Sequence, residues 1–120
     1  HIGELAAEKV KLAENYMEGI RNEKIILPKI RDGADAIWHQ FVIRCASRDS
    51  LKEYLEGRGV ATIIHYPVPP HLQKAYEYLG HSRGDYPAAE KYADEVLSIP
   101  MYNGMTEEAQ KTVIEALNSF

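Results

Sequence analysis

The stretch Ile37-Trp38-His39-Gln40-Phe41-Val42-Ile43-Arg44-Cys45 decides the fold, because its aromatic and β-branched residues are typical of a buried strand. Ser47 follows as a plausible helix N-cap, and Asp49 lies in the first turn, where the helix dipole favours an acid. Gly57 and Gly59 can end this helix. Val60–Ile64 then predicts a second strong strand.

Helices are predicted on both sides of these strands. Apolar residues at helical spacing predict an amphipathic helix over about residues 4–21. The further predicted elements are a short strand at 25–27 stopped by Pro28, a short helix at 71–79 ended by Gly80, a helix from Pro87 to about Leu97, and a last helix capped by Thr106. The order lacks regular βαβ spacing. It therefore predicts an α+β domain with helices covering a small antiparallel or mixed sheet.

Composition excludes several functional classes. The 120 residues carry 14 basic and 18 acidic side chains, a formal charge of -4, without a basic stripe, so we expect no nucleic-acid partner. No apolar run is long enough to span a bilayer, so no membrane partner is expected. Cys45 is the single cysteine and is expected to be buried and unpaired, which favours a reducing, cytoplasmic setting.

The densest cluster of functional side chains is His65-Tyr66-Pro67-Val68-Pro69-Pro70-His71, between a predicted strand and a predicted helix. The prolines stiffen the loop and remove backbone donors, so side chains must carry any ligand recognition. An imidazole can donate to a phosphate or sugar oxygen or shuttle a proton, and a phenol can donate or pack on a ring. The alternative is a rigid crossover whose rings only fill space.

Other chemistry receives little support. The five histidines show no helical i, i+4 pair, and no acidic residue or cysteine stands close to His65 or His71 in sequence, so no metal site is predicted. No nucleophile elbow or phosphate-binding glycine motif occurs. Trp38 is expected in the core. For His39, the sequence does not decide between an exposed surface position and a position in the site. The tyrosines expected to be structural, in the core or at an interface rim, are Tyr76, Tyr78, Tyr86, Tyr92 and Tyr102.

The stretch Ile63–Tyr76 resembles the C-terminal signature of the DegT/DnrJ/EryC1/StrS sugar aminotransferases. Four further segments resemble this family in the same order along the chain: Lys11–Tyr16, Trp38–Arg44, Gly84–Glu90 and Val96–Tyr102. The His-Tyr-Pro-x-Pro-Pro-His form, followed by Tyr102–Met105, is most similar to transaminases that make dTDP-3-amino-3,6-dideoxyhexoses.

The resemblance implies that the chain is the C-terminal small domain of an aspartate-aminotransferase type enzyme, with residues 1–21 as the connecting helix. The full enzymes are homodimers in which a lysine of the N-terminal large domain holds pyridoxal phosphate. Glutamate gives its amino group to the cofactor, and a keto nucleotide-sugar receives it. By position, His65 and Tyr66, and more weakly His71, are implied to help form the substrate pocket.

The large domain with its Schiff-base lysine is not recognisable in this chain. The lysines present are Lys9, Lys11, Lys24, Lys29, Lys52, Lys74, Lys91 and Lys111, and none has the context of the family's lysine motif. The start at His1, without an initiator Met, also resembles a fragment boundary. We therefore expect the chain alone to have no catalytic residue, no cofactor and no turnover. The alternative is a stand-alone regulatory or binding module that kept the small-domain fold.

Overall fold

The computed structural model describes residues 1–120. Four α-helices, three strands and two short 3₁₀-helices follow one another in the order α1 (Ile2–Gly19), β1 (Ile25–Ile26), β2 (Phe41–Cys45), α2 (Arg48–Glu56), 3₁₀-helices Pro70–Leu72 and Lys74–Leu79, α3 (Pro87–Glu95), β3 (Val96–Ile99) and α4 (Glu107–Asn118). No helix combines the length and apolar character needed to cross a membrane.

The three strands form one antiparallel sheet with β2 in the centre. Ile25 lies opposite Cys45, and Phe41 and Ile43 lie opposite Ile99 and Leu97. The predicted α+β class is confirmed, and of the two sheet types the antiparallel one is correct.

Alternation along β2 explains where the core lies. Phe41, Ile43 and Cys45 are buried, whereas Val42 and Arg44 between them are half-buried on the other face. Leu97 and Ile99 of β3 join the same buried cluster. The helices add apolar side chains to it: Leu12, Ala13 and Tyr16 from α1, Leu51 and Leu55 from α2, and Val113, Ala116 and Leu117 from α4. Cys45 is buried and unpaired, as predicted.

The terminal helices α1 and α4 pack against each other at Gly19. A side chain added there would place its Cβ 2.9 Å from Cδ1 of Ile114, so the Ile114 side chain would have to shift to admit it. Tyr16 lies nearby with no exposed surface, and its hydroxyl donates to the carbonyl of Pro100 at 2.6 Å. Burial raises the pKa of Tyr16, and the nearby Tyr102 adds to this. The phenol is therefore a fixed neutral donor that ties α1 to the segment after β3.

One predicted strand is shorter than expected and another is absent. The predicted strand at 37–45 begins only at Phe41, and Trp38 stacks on Phe41 from the preceding loop with ring centroids 5.3 Å apart. Val60–Ile64 is not a strand: Ile63 alone forms a bridge, exchanging two backbone hydrogen bonds with Ser98. Prolines follow within a few residues, so no longer ladder can form.

The third strand was missed altogether. The sequence predicts a helix from Pro87 to about Leu97, but α3 ends at Glu95 and β3 starts at Val96. No glycine or proline separates them, so local sequence gives no signal of the change. Pairing with β2 provides the hydrogen bonds that decide it.

The segment predicted as a helix at 71–79 consists of two 3₁₀-helices, which Gly80 ends at φ 72°, as predicted. None of the five tyrosines named above lies in the core: their exposed fractions run from 43% to 79%. The core part of that prediction is wrong. Tyr92 instead packs against the guanidinium of Arg44, whose central carbon lies 4.6 Å from the ring centroid.

Candidate functional site

The loop of residues 65–71 is attached to the sheet at its start. The backbone bridge between Ile63 and Ser98 fixes the chain two residues before the loop begins. Pro69 is buried, and Pro70 starts the first 3₁₀-helix. The loop is thus held at both ends, and its side chains are presented from a rigid base.

Both ring nitrogens of His65 are within hydrogen-bonding distance of side chains from other segments. Its Nε2 lies 2.9 Å from the side-chain nitrogen of Gln40, and its Nδ1 lies 2.9 Å from the hydroxyl of Ser98. The partners are 25 and 33 residues away in sequence. Gln40 immediately precedes β2 and Ser98 belongs to β3, so the imidazole is tied to two neighbouring strands.

Tyr66 has the opposite environment. Its side chain is 85% exposed. Its backbone has φ 54°, and Tyr66 is the only non-glycine residue with a positive φ. This region disfavours a bulky side chain, at a cost on the order of 1–3 kcal/mol, and such strain is common at functional sites. The His65 and Tyr66 ring centroids are 6.4 Å apart. The structure therefore places a fixed imidazole beside a phenol that projects into solvent.

A cleft of about 210 Å³ opens beside His65, and we refer to it as the His65 cleft. Its lining residues come from the segment before β2, the segment before the loop, and β3 with the residues that follow it: His39, Gln40, Ala61, Ile63, His65, Ser98, Ile99, Pro100 and Met101. His39, which the sequence left open between surface and site, is exposed and lies in this lining.

His71 at the far end of the loop faces a carboxylate. Its Nε2 lies 2.8 Å from Oε1 of Glu90, and both side chains are less than a tenth exposed. Glu90 also accepts from the backbone N–H groups of Gly84 and Tyr86. This pair attaches the loop to α3. The predicted contact of His71 with substrate stays a prediction, and its Nε2 is already engaged within the chain.

Sequence reasoning missed Gln40, Ser98 and Glu90 as partners of the loop. Each lies far along the chain from its histidine, and no spacing rule connects them. Only the pairing of β2 with β3 and the packing of α3 bring them together. No group of three or more potential ligands is arranged to hold a metal ion.

The family model described as the DegT/DnrJ/EryC1/StrS aminotransferase family matches residues 1–118. The chain belongs to this family. It is 41% identical over 120 residues to the erythromycin biosynthesis sensory transduction protein EryC1 of Saccharopolyspora erythraea, covering 99% of this chain and 33% of that protein. It is 37% identical to the dTDP-3-amino-3,6-dideoxy-alpha-D-galactopyranose transaminase of Aneurinibacillus thermoaerophilus, covering 92% and 30%.

A solved family member supports the fold. The S. venezuelae protein DesV, crystallised in complex with a ketimine intermediate, superimposes with a TM-score of 0.95 at 34% identity. The match covers 99% of this chain and 32% of DesV. The chain thus spans about a third of the length of the relatives it matches, and the resemblance stated from the sequence is confirmed.

Enzymes of this family depend on pyridoxal phosphate. A bound pyridoxal phosphate requires an amine for its carbonyl carbon and donors for its phosphate. No lysine or arginine lines the His65 cleft, and its volume is below the 300–1,000 Å³ or so of typical ligand pockets. The residues of this cleft do not supply a complete cofactor site.

Proposed function

We propose that this chain provides the substrate-side wall of a nucleotide-sugar aminotransferase, with His65 and Tyr66 forming part of the sugar-nucleotide pocket. The parent enzyme would transfer an amino group from glutamate to a keto nucleotide-sugar, a dTDP-3-oxo-6-deoxyhexose. The pairing of a strand-anchored His65 with an exposed, backbone-strained Tyr66 carries this proposal. The name of the Aneurinibacillus relative supports the sugar class.

The proposal divides the roles of the loop residues. Tyr66 has an exposed hydroxyl that can donate to a phosphate or sugar oxygen. His65 lines the cleft and fixes the neighbouring backbone. His71, held by Glu90, keeps the far end of the loop on α3.

The reactive amine and the cofactor would come from an N-terminal large domain, which α1 connects to the rest of the chain. An apolar groove of about 400 Å³ between α1 and the loop before β2 supports such a contact. Its lining includes Val10, Met17, Ile30 and Trp38, and Ile37 nearby is 95% exposed. We propose a homodimer in the cytoplasm, where a single free cysteine is ordinary.

The test uses the complete reading frame that encodes these residues, assayed for amino transfer from glutamate to the dTDP-3-oxo sugar. Losing one hydrogen bond to a charged phosphate costs roughly 1.5–3 kcal/mol, so Tyr66→Phe is expected to lower kcat/KM about tenfold or more. His65→Ala is expected to lower it as well. Tyr78→Phe is the matched control, since Tyr78 is 79% exposed but lies in the second 3₁₀-helix.

Unchanged sugar-nucleotide kinetics in both loop variants would refute the site. A sensory or regulatory module is the second candidate, because the EryC1 relative is named a sensory transduction protein. In that case the complete protein would bind a ligand or partner and show no amino transfer with any keto sugar.

A further inference from the structure

We propose that Gln40 and Ser98 are positioning residues that select, in the neutral ring of His65, the tautomer protonated on Nδ1. The Gln40 amide nitrogen can only donate, so the Nε2 of His65, 2.9 Å away, must accept. In a neutral ring the other nitrogen then carries the proton. The hydroxyl oxygen of Ser98, 2.9 Å from Nδ1, accepts it.

The two partners are well placed to impose this state. Ser98 is 7% exposed, and its backbone both donates to and accepts from Ile63, so its hydroxyl cannot move away with a loop. Gln40 is half-buried and directly precedes Phe41, a fully buried residue of β2. His65 thereby joins the ends of β2 and β3 through side chains.

This arrangement occupies both polar atoms of the ring. With neither nitrogen free, His65 offers a ligand only its carbon edge and face. Tyr66, next in sequence and held at φ 54°, is then the residue whose polar atom is available. Gln40 and Ser98 therefore act on the pocket indirectly. They fix His65, and the position of His65 orients the next residue, Tyr66. This last step rests on the proposed function, whereas the protonation state does not.

The direct test is a long-range ¹H–¹⁵N spectrum of the ¹⁵N-histidine-labelled protein from the complete reading frame above neutral pH, where the shifts of the two imidazole nitrogens report which one is protonated. An unconstrained histidine side chain in water prefers the proton on Nε2. Wild-type His65 is expected in the opposite, Nδ1-protonated form. Gln40→Glu, which replaces a donor with an acceptor, is expected to move the proton to Nε2. Ser98→Ala is expected to give a mixture.

Matched controls distinguish this effect from general loosening of the fold. Gln73→Leu removes an amide that donates to Val68, and Ser119→Ala removes a hydroxyl that donates to Glu115. Neither touches His65, so both are expected to leave its signals unchanged. Backbone amide spectra identify any variant that fails to fold. Even if a variant does not fold, the spectrum of wild-type His65 shows which ring nitrogen carries the proton.

A wild-type His65 protonated on Nε2, or the tautomer ratio of an unconstrained histidine side chain, would overturn the inference whatever the enzyme's activity. In the complete reading frame, Gln40→Leu is expected to raise KM for the nucleotide-sugar about three- to tenfold, the size of one net hydrogen bond, with kcat little changed. An Nδ1-protonated ring together with unchanged KM would retain the structural assignment and refute only the link to substrate.

Discussion

Glu90 is the residue whose charge contributes most clearly to the fold. Its carboxylate is buried and accepts hydrogen bonds from His71 and from the N–H groups of Gly84 and Tyr86. Burial alone would raise the pKa of Glu90, but these hydrogen bonds outweigh it and hold the pKa below its ordinary value. The folded state therefore favours the ionised carboxylate more than the unfolded chain does.

This direction predicts an acid-dependent loss of stability. The contribution of Glu90 is fully present above the unfolded pKa of about 4.3, and it disappears as pH falls through the lower folded value. Glu90→Gln is expected to lower Tm at neutral pH, and the gap to wild type is expected to close on acidification. Thermal unfolding followed by circular dichroism across this range measures the gap.

The exposed Glu77 provides a matched control, because its side chain has no hydrogen-bond partner in the chain. Glu77→Gln is expected to track wild type at every pH. A Glu90→Gln gap that stayed constant from neutral to acid pH would show that the substitution removes packing rather than a charge-dependent interaction.

Among the elements, α2 and α4 begin with residues that look alike in sequence but differ in structure. Thr106 accepts the backbone N–H of Ala109 at 3.1 Å and caps α4, as predicted. Ser47 occupies the N-cap position of α2, but its side chain makes no capping bond. Thr106→Ala is expected to lower the free energy of unfolding by about 1 kcal/mol, and Ser47→Ala by less than about 0.5 kcal/mol.

Urea denaturation of the two alanine variants measures this difference. Thr106→Ser keeps the hydroxyl and is expected to recover most of the loss. Equal costs at Ser47 and Thr106 would mean that neither hydroxyl caps its helix in solution.

The same elements show which structural features can be predicted from local sequence. Pro87 at the start of α3 and Gly80 at the end of the 3₁₀-helix were predictable, because each acts through its own backbone angles. The strand β3 was not, because its state depends on pairing with β2, more than 50 residues earlier. The position of the site loop followed from sequence, whereas its long-range partners Gln40 and Ser98 required the folded sheet.

The whole molecule has the fold of a sugar aminotransferase segment. The His65 cleft does not contain the groups that would bind the cofactor. The α+β class and the family were accessible from sequence because many motifs recur in order over nearly all 120 residues. The chain nevertheless spans only about a third of its relatives. We therefore expect cofactor binding to require residues beyond those described.

Equilibrium dialysis with pyridoxal phosphate tests this expectation directly. The 120-residue chain is expected to show only weak, non-saturable uptake, because no lysine or arginine lines the His65 cleft. The protein from the complete reading frame is expected to bind the cofactor saturably. Saturable binding by residues 1–120 alone would contradict the proposed division, because this chain would then hold the cofactor without a large domain.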